Sequence, residues 1–259
     1  MSVFHSIILG VMQGIGEFLP VSSSAHLALA PYIFGWSDQG QAYDVMLHLG
    51  TLLAVVIYFA RDWFGIFRDA VLRKPGTDGK MLWYLIAATV PAGAAGVLLE
   101  KTTENIFRNP LWIACALIVF SGFIYFADRT ARQELGGDKI NLKDAVIIGL
   151  AQCIALMPGA SRSGMTMMAA LFLGYSRPFS ARFSFLLSTP IIFGAGIMKA
   201  MELSAGDIDA AFVFGLISSF VTGLAVISFF MSWIKKRTLL PFIIYRILLG
   251  LFIIFLVFK

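Results

Sequence analysis

A chain of 259 residues that is 59% apolar and only 14% charged, with a mean hydropathy of +0.84, has more apolar surface than a soluble core can hide. Its net charge of +5 comes from basic residues in short segments between apolar stretches, which speaks for membrane topology and against nucleic-acid binding. Cys115 and Cys153 both fall inside apolar stretches and read as packed thiols, which excludes a disulfide-built fold. The expectation is an all-α integral membrane protein, a single membrane domain over residues 1–259.

In chain order, residues 1–16 lack a basic leading region and a small-residue cleavage site, so they do not read as a signal peptide. Residues 2–19 and 27–34 are apolar arms around a polar break, Pro20-Val21-Ser22-Ser23-Ser24-Ala25-His26. Residues 42–60 form the first span, with Asp44 at its mouth and His48 inside it; spans over 81–99 and 110–127 follow. A second pair of arms, 145–157 and 165–173, encloses Pro158-Gly159-Ala160-Ser161-Arg162-Ser163-Gly164. Residues 183–199, 210–233 and 239–258 complete six spans. An arm of about 12 residues reaches only ~18 Å, roughly half-way across the hydrocarbon. Irregular backbone at membrane depth survives only inside protein or beside a water-filled cavity. Both broken segments are therefore expected to be re-entrant helix hairpins.

The halves read as copies, about 1–128 and about 140–259. Gly10-Val11-Met12-Gln13 matches Gly149-Leu150-Ala151-Gln152 at an offset of 139, and Pro20 and Ser23 match Pro158 and Ser161 at 138. Leu85-Ile86-Ala87-Ala88 resembles Leu216-Ile217-Ser218-Ser219, and Pro110 resembles Pro241, both at 131. One hairpin plus three spans per half gives the halves opposite orientation, an inverted-topology repeat. The segments 61–80, 128–143 and 235–237 carry twelve of the twenty Lys and Arg, and 35–41 and 201–209 carry none, so the former are expected to be cytoplasmic and both termini external. The five tryptophans fall near span ends, as an interfacial belt requires. The two breaks are then expected to meet near the midplane.

Ionisable residues at membrane depth are functional by default. Glu17, His26 and Arg162 are three such groups in two short breaks, against the plainer reading of a structural Glu–Arg pair. Ser22, Ser23 and Ser24 open one helix, and Ser161, Ser163 and Thr166 sit at the start of another. Helix starts present free N–H groups to anions, and Arg162 adds a planar fork suited to phosphate. A diphosphate is the anion class that such a cradle fits. Glu17 would repel it, so Glu17 must serve another purpose, either holding a divalent metal or orienting His26. Gln13 lies one turn before Glu17 on the same face, and Ser23 and His26 are three apart, a hydroxyl beside an imidazole. Nucleophilic attack by Ser23, attack by His26 and attack by water all use these same residues. His48 reads equally as a supporting residue of the site or as a satisfied core histidine. Arg246, early in the last span, reads as a snorkelling arginine.

The stretch Gln13-Gly14-Ile15-Gly16-Glu17-Phe18-Leu19-Pro20-Val21-Ser22-Ser23-Ser24-Ala25-His26, with Pro158-Gly159-Ala160-Ser161-Arg162-Ser163-Gly164-Met165-Thr166, resembles the two signatures of the bacterial undecaprenyl-diphosphate phosphatases, also called bacitracin-resistance proteins. The resemblance covers the whole chain in length and hydropathy. It implies removal of the terminal phosphate from a fifty-five-carbon isoprenoid diphosphate, which recycles the lipid carrier of cell-wall synthesis. It also implies the bacterial cytoplasmic membrane, an active site open to the outer face, and a divalent metal, Mg2+ or Ca2+. The family's carboxylate/amide pair falls on Gln13 and Glu17, its Ser and His on Ser23 and His26, and its phosphate-binding residues on Ser161, Arg162 and Thr166. With an amide at position 13, Glu17 is the single carboxylate for a metal, which would then arrive with the diphosphate. A transporter or flippase of a lipid phosphate is the rival, and Glu17 and His26 discriminate, since anion carriage needs neither beside the phosphate. The sequence leaves monomer and homodimer both open.

Overall fold

The computed structural model describes residues 2–37, 40–105, 108–201 and 209–259. The expected outer segment 201–209 lies almost wholly outside the described residues, and 35–41 partly so. Among the described residues there are eleven α-helices and no strand, only a single bridge between Leu135 and Tyr175. The helices are α1 Val3–Phe18, α2 Ser23–Phe34, α3 Gly40–Tyr58, α4 Ala60–Val71, α5 Met81–Asn105, α6 Pro110–Thr130, α7 Leu142–Ile154, α8 Arg162–Phe172, α9 Arg177–Ala200, α10 Ala210–Trp233 and α11 Leu240–Val257.

Five helices are long and apolar enough to cross a bilayer: Met81–Leu99 within α5, α6, Arg177–Lys199 within α9, α10 and α11. A sixth span exists if α3 and α4 count as one crossing, and these two are bent by 71°. The sequence predicts a basic loop at 61–80, but α4 occupies its first half. Charges alternating with Trp63, Phe64, Ile66 and Phe67 make α4 amphipathic, and its charges find partners: Arg182 Nε donates to Asp62 at 2.7 Å, and Arg68 Nε to Asp69 at 2.9 Å. Trp63 packs against the core, so it is not part of an exposed belt.

The helices pair in an exchanged pattern. α1 lies along α10 and α7 along α5, α3 meets α9, and α6 meets α11. Small residues permit the closest approaches. A Cβ on Gly14 of α1 would lie 2.7 Å from Thr222 Cβ and 2.8 Å from the Gly223 nitrogen of α10. A Cβ on Gly149 of α7 would lie 2.7 Å from Ala88 Cα of α5. Ser6 Oγ donates to Ala211 O, and Ser219 Oγ donates to Leu47 O at 2.8 Å, which ties α10 to α1 and α3.

The two breaks are shorter than expected. α2 begins at Ser23 and α8 at Arg162, so Ser23, His26, Arg162 and Ser163 sit in first helical turns. The residue before each helix has positive φ: Ser22 at 73° and Ser161 at 75°. Left-handed backbone costs a non-glycine residue about 1–3 kcal/mol, and such strain gathers at functional sites. The helix starts align Ser22 with Ser161, an offset of 139, the same as that of Gln13 and Gln152. The one-residue slip to Ser23 read from the sequence is not what the backbone does.

Candidate active site

The breaks meet directly. Gly159 N–H donates to Ser22 Oγ at 3.0 Å, and Ser163 Oγ donates to Leu19 O at 3.2 Å. Between them lies a cavity of about 130 Å³ bordered by Glu17, Ser22, Ser23, Ser24, Ser161 and Arg162, with His48 entering from α3. At ~30 Å³ per water this holds roughly four waters, the scale of one phosphate group.

Glu17 is the hub. Its Oε1 accepts from Arg162 Nη2 at 3.0 Å. Its Oε2 accepts from Ser23 Oγ at 2.9 Å and from Gln13 Nε2 at 3.1 Å, and His48 Nε2 lies 3.3 Å away. Glu17 is only 6% exposed, so these partners replace water. Gln13 also donates to Thr51 Oγ1 at 3.4 Å, and its Oε1 is buried without a partner. Arg162 spends Nη1 on Ser184 O at 2.7 Å, while its Nε is buried with no acceptor. Thr166 Oγ1 donates to Ser184 Oγ at 2.7 Å and so braces the same carbonyl region from α8. Ser161 Oγ caps α8 by accepting from Gly164 N–H at 3.2 Å, and Ser163 Oγ lies 3.3 Å from it.

His26 does not meet Ser23. Its Nδ1 lies 2.8 Å from Ser22 O and its Nε2 2.6 Å from Tyr245 Oη, with the two rings stacked. Both nitrogens are engaged away from the cavity, so the dyad expected from the i, i+3 spacing is not formed. The start of α2 turns the Ser23 hydroxyl onto Glu17 and the imidazole toward α11. There His26 borders a second, apolar cavity of about 480 Å³, lined by Met12, Ile15, Leu19, Val21, Phe242 and Tyr245. Gly16 borders both cavities.

His48, left open by the sequence, belongs to the site. Its Nδ1 faces Asp44 O at 2.7 Å, which is itself an acceptor, and its Nε2 faces Glu17. Arg246 is a correction: it does not snorkel. It is fully buried, and its guanidinium donates to Ser121 Oγ (2.8 Å), Gly159 O (2.8 Å), Pro20 O and Ala160 O (both 3.2 Å) and Leu117 O (3.5 Å). A charged side chain in an apolar helix was the only available signal for it. Its acceptors are mainly backbone carbonyls, which leave no mark in a sequence.

A sequence model of the family described as bacitracin resistance protein BacA matches residues 6–252. Among curated proteins, one named undecaprenyl-diphosphatase from Elusimicrobium minutum is 48% identical over 254 residues, 98% of each chain. One of the same name from Pelotomaculum thermopropionicum is 46% identical over 254 residues, 98% of this chain and 96% of its own. Matched over nearly its whole length and at this identity, the chain belongs to the BacA bacitracin-resistance family.

Proposed function

We propose that this membrane protein hydrolyses undecaprenyl diphosphate to undecaprenyl phosphate and inorganic phosphate in the cavity between the two breaks. The observation that carries the chemistry is the Ser23 hydroxyl held 2.9 Å from a buried carboxylate that also faces Arg162. A site that only carried an anion would gain nothing from a carboxylate and a nucleophile side by side, which disfavours the transporter reading.

The terminal phosphate takes the starts of α2 and α8 and the Arg162 guanidinium as its cradle. Ser23 Oγ attacks phosphorus, and its proton passes to Glu17 Oε2. The new O–P bond forms as the bridging P–O bond breaks, and undecaprenyl phosphate leaves with the electron pair. Water then attacks the phosphoserine, and as the Ser23 Oγ–P bond breaks Glu17 returns the proton it holds to Ser23 Oγ; Glu17 is ionised again, and inorganic phosphate departs with both protons of the water. Glu17, rather than His26, is within reach of the Ser23 proton. His26 and Tyr245 border the apolar cavity, where the first isoprene units of the tail fit.

Among the described residues no group of three or more His, Cys, Asp and Glu side chains could hold a metal ion. Glu17 and the unpartnered Gln13 Oε1 are the donors at hand, and they suit a divalent ion only if the diphosphate supplies further oxygens. Bound in that way, Mg2+ or Ca2+ would offset charge on the phosphates. Purified protein should release phosphate from undecaprenyl diphosphate and lose that activity in excess chelator. No release under any divalent ion would remove the functional reading; full activity in chelator would remove the metal alone.

The architecture that we propose is six spans and two re-entrant hairpins in an inverted repeat, in the bacterial cytoplasmic membrane with the cavity open to the outer side. The exchanged helix pairing and the matched positive-φ serines support it. Single cysteines at Ser37 and Thr77, in a background lacking Cys115 and Cys153, should label from opposite sides of intact cells. Labelling from one side would end the inverted-repeat topology. A homodimer is compatible with this arrangement and would appear as twice the chain mass in detergent.

A further inference from the structure

We propose that Arg246 is a positioning residue for the reaction: by holding the carbonyls of both breaks it aims the Ser161 backbone N–H into the phosphate cavity. The inference rests on the phosphatase reading given above. Arg246 is 0% exposed, and among the described residues no carboxylate pairs with it. Its contacts are all neutral oxygens, three of them on the breaks: Pro20 O from the first, Gly159 O and Ala160 O from the second. A buried charge is costly, and packing alone is served as well by an apolar side chain of similar volume. The cation therefore does something that an apolar residue cannot.

That something follows from peptide geometry. Among the described residues every peptide is trans, and in a trans peptide the C=O and the N–H point to opposite sides. Capturing three carbonyls sends the N–H groups of Val21, Ala160 and Ser161 away from the guanidinium. Two are spent inside their own turns, Val21 on Leu19 O at 2.7 Å and Ala160 on Met157 O at 3.0 Å. The Ser161 N–H has no protein acceptor among the described residues, and Ser161 borders the cavity beside Arg162 and Glu17. Of these three amides it is the one left for a phosphoryl oxygen. Arg246 also sets the separation of the breaks, because one guanidinium nitrogen bonds Pro20 O and Ala160 O together. Ser121 fixes the guanidinium from α6 through Nε.

The test compares Arg246→Lys and Ser121→Ala with the parent protein, in detergent, on undecaprenyl diphosphate. Lys keeps the charge but cannot span five acceptors. Misplacement of a reacting group costs up to about a hundredfold, so kcat should fall at least ~10-fold while KM moves less than ~3-fold. Orthovanadate, which mimics the five-coordinate phosphorus, should inhibit Arg246→Lys more weakly in proportion to the lost kcat. Ser121→Ala, which removes only the Nε acceptor, should lower kcat about 2–5-fold in the same pattern. The proposal fails if Arg246→Lys keeps its kcat. It also fails if activity falls only as folded protein falls, with vanadate inhibition unchanged. Should Arg246→Lys not fold, Ser121→Ala decides, and an unchanged kcat there overturns the proposal. An inactive parent protein would instead sink the phosphatase reading.

Discussion

Replacing Arg162 by alanine should lower phosphate release by about a hundredfold or more, the usual effect of removing one contact that stabilises transition-state charge. The guanidinium stands between Glu17 and the Ser184 carbonyl and keeps its Nε free of any protein partner. Arg162→Lys should recover little, because an ammonium offers a point charge in place of a planar fork. The variant also leaves Glu17 without its guanidinium partner, so folded protein must be measured alongside turnover. If Arg162→Ala is folded and keeps most of its turnover, Arg162 serves only to neutralise Glu17.

Ser23→Ala should abolish turnover while leaving substrate binding largely intact, since the cradle of Arg162 and the two helix starts is untouched. Rapid acid quench with substrate labelled on the terminal phosphate should trap label on the peptide that contains Ser23. A phosphoserine ester survives acid, whereas a phosphohistidine does not. Label that survives an alkaline quench but is lost in acid would transfer the attack to the imidazole of His26. Substantial turnover by Ser23→Ala would transfer it to His26 or to water, with Glu17 still placed to accept the proton. Glu17→Gln keeps the shape of the hub but cannot take that proton, and should be about as severe as Ser23→Ala.

Much of this site was legible because burying polar groups in lipid is costly. Glu17 and Arg162 stood out from their apolar surroundings, and the two Pro-containing breaks stood out from helices too short to span. The structure brings the two breaks into contact through Gly159 N–H and Ser22 Oγ. What was not legible depends on direction. Ser23 and His26 are three positions apart, which puts them near one face of a helix, yet α2 begins at Ser23 and its first turn splits them between two cavities. His48 could be read either way until α3 was placed beside α1. α4 looked like a loop because its charges outnumber what a span tolerates; the partner of Asp62, Arg182, comes from α9, 120 residues away. Arg246 misleads because a snorkelling arginine and a buried one look alike in sequence.

The pairing of Glu17 with Arg162 joins residues 145 apart, and the bond of Arg246 to Pro20 joins residues 226 apart. At about 5–20 residues per second of synthesis, the carboxylate waits roughly 7–30 s for its cation, and the first break waits longer still for the helix that clamps it. Until then Glu17 lacks its guanidinium partner, and an unpaired charge costs about 2.5–3.5 kcal/mol at the bilayer centre. The newborn chain is thus expected to hold α1 and α2 at the water boundary or against the insertion machinery. They sink to their final depth only when α8, α10 and α11 arrive. Assembly order then acts as a safeguard: the cavity around the carboxylate is bordered by Ser161, Arg162 and Ile192, so a chain cut short before α9 is expected to have no complete site with which to attack lipid.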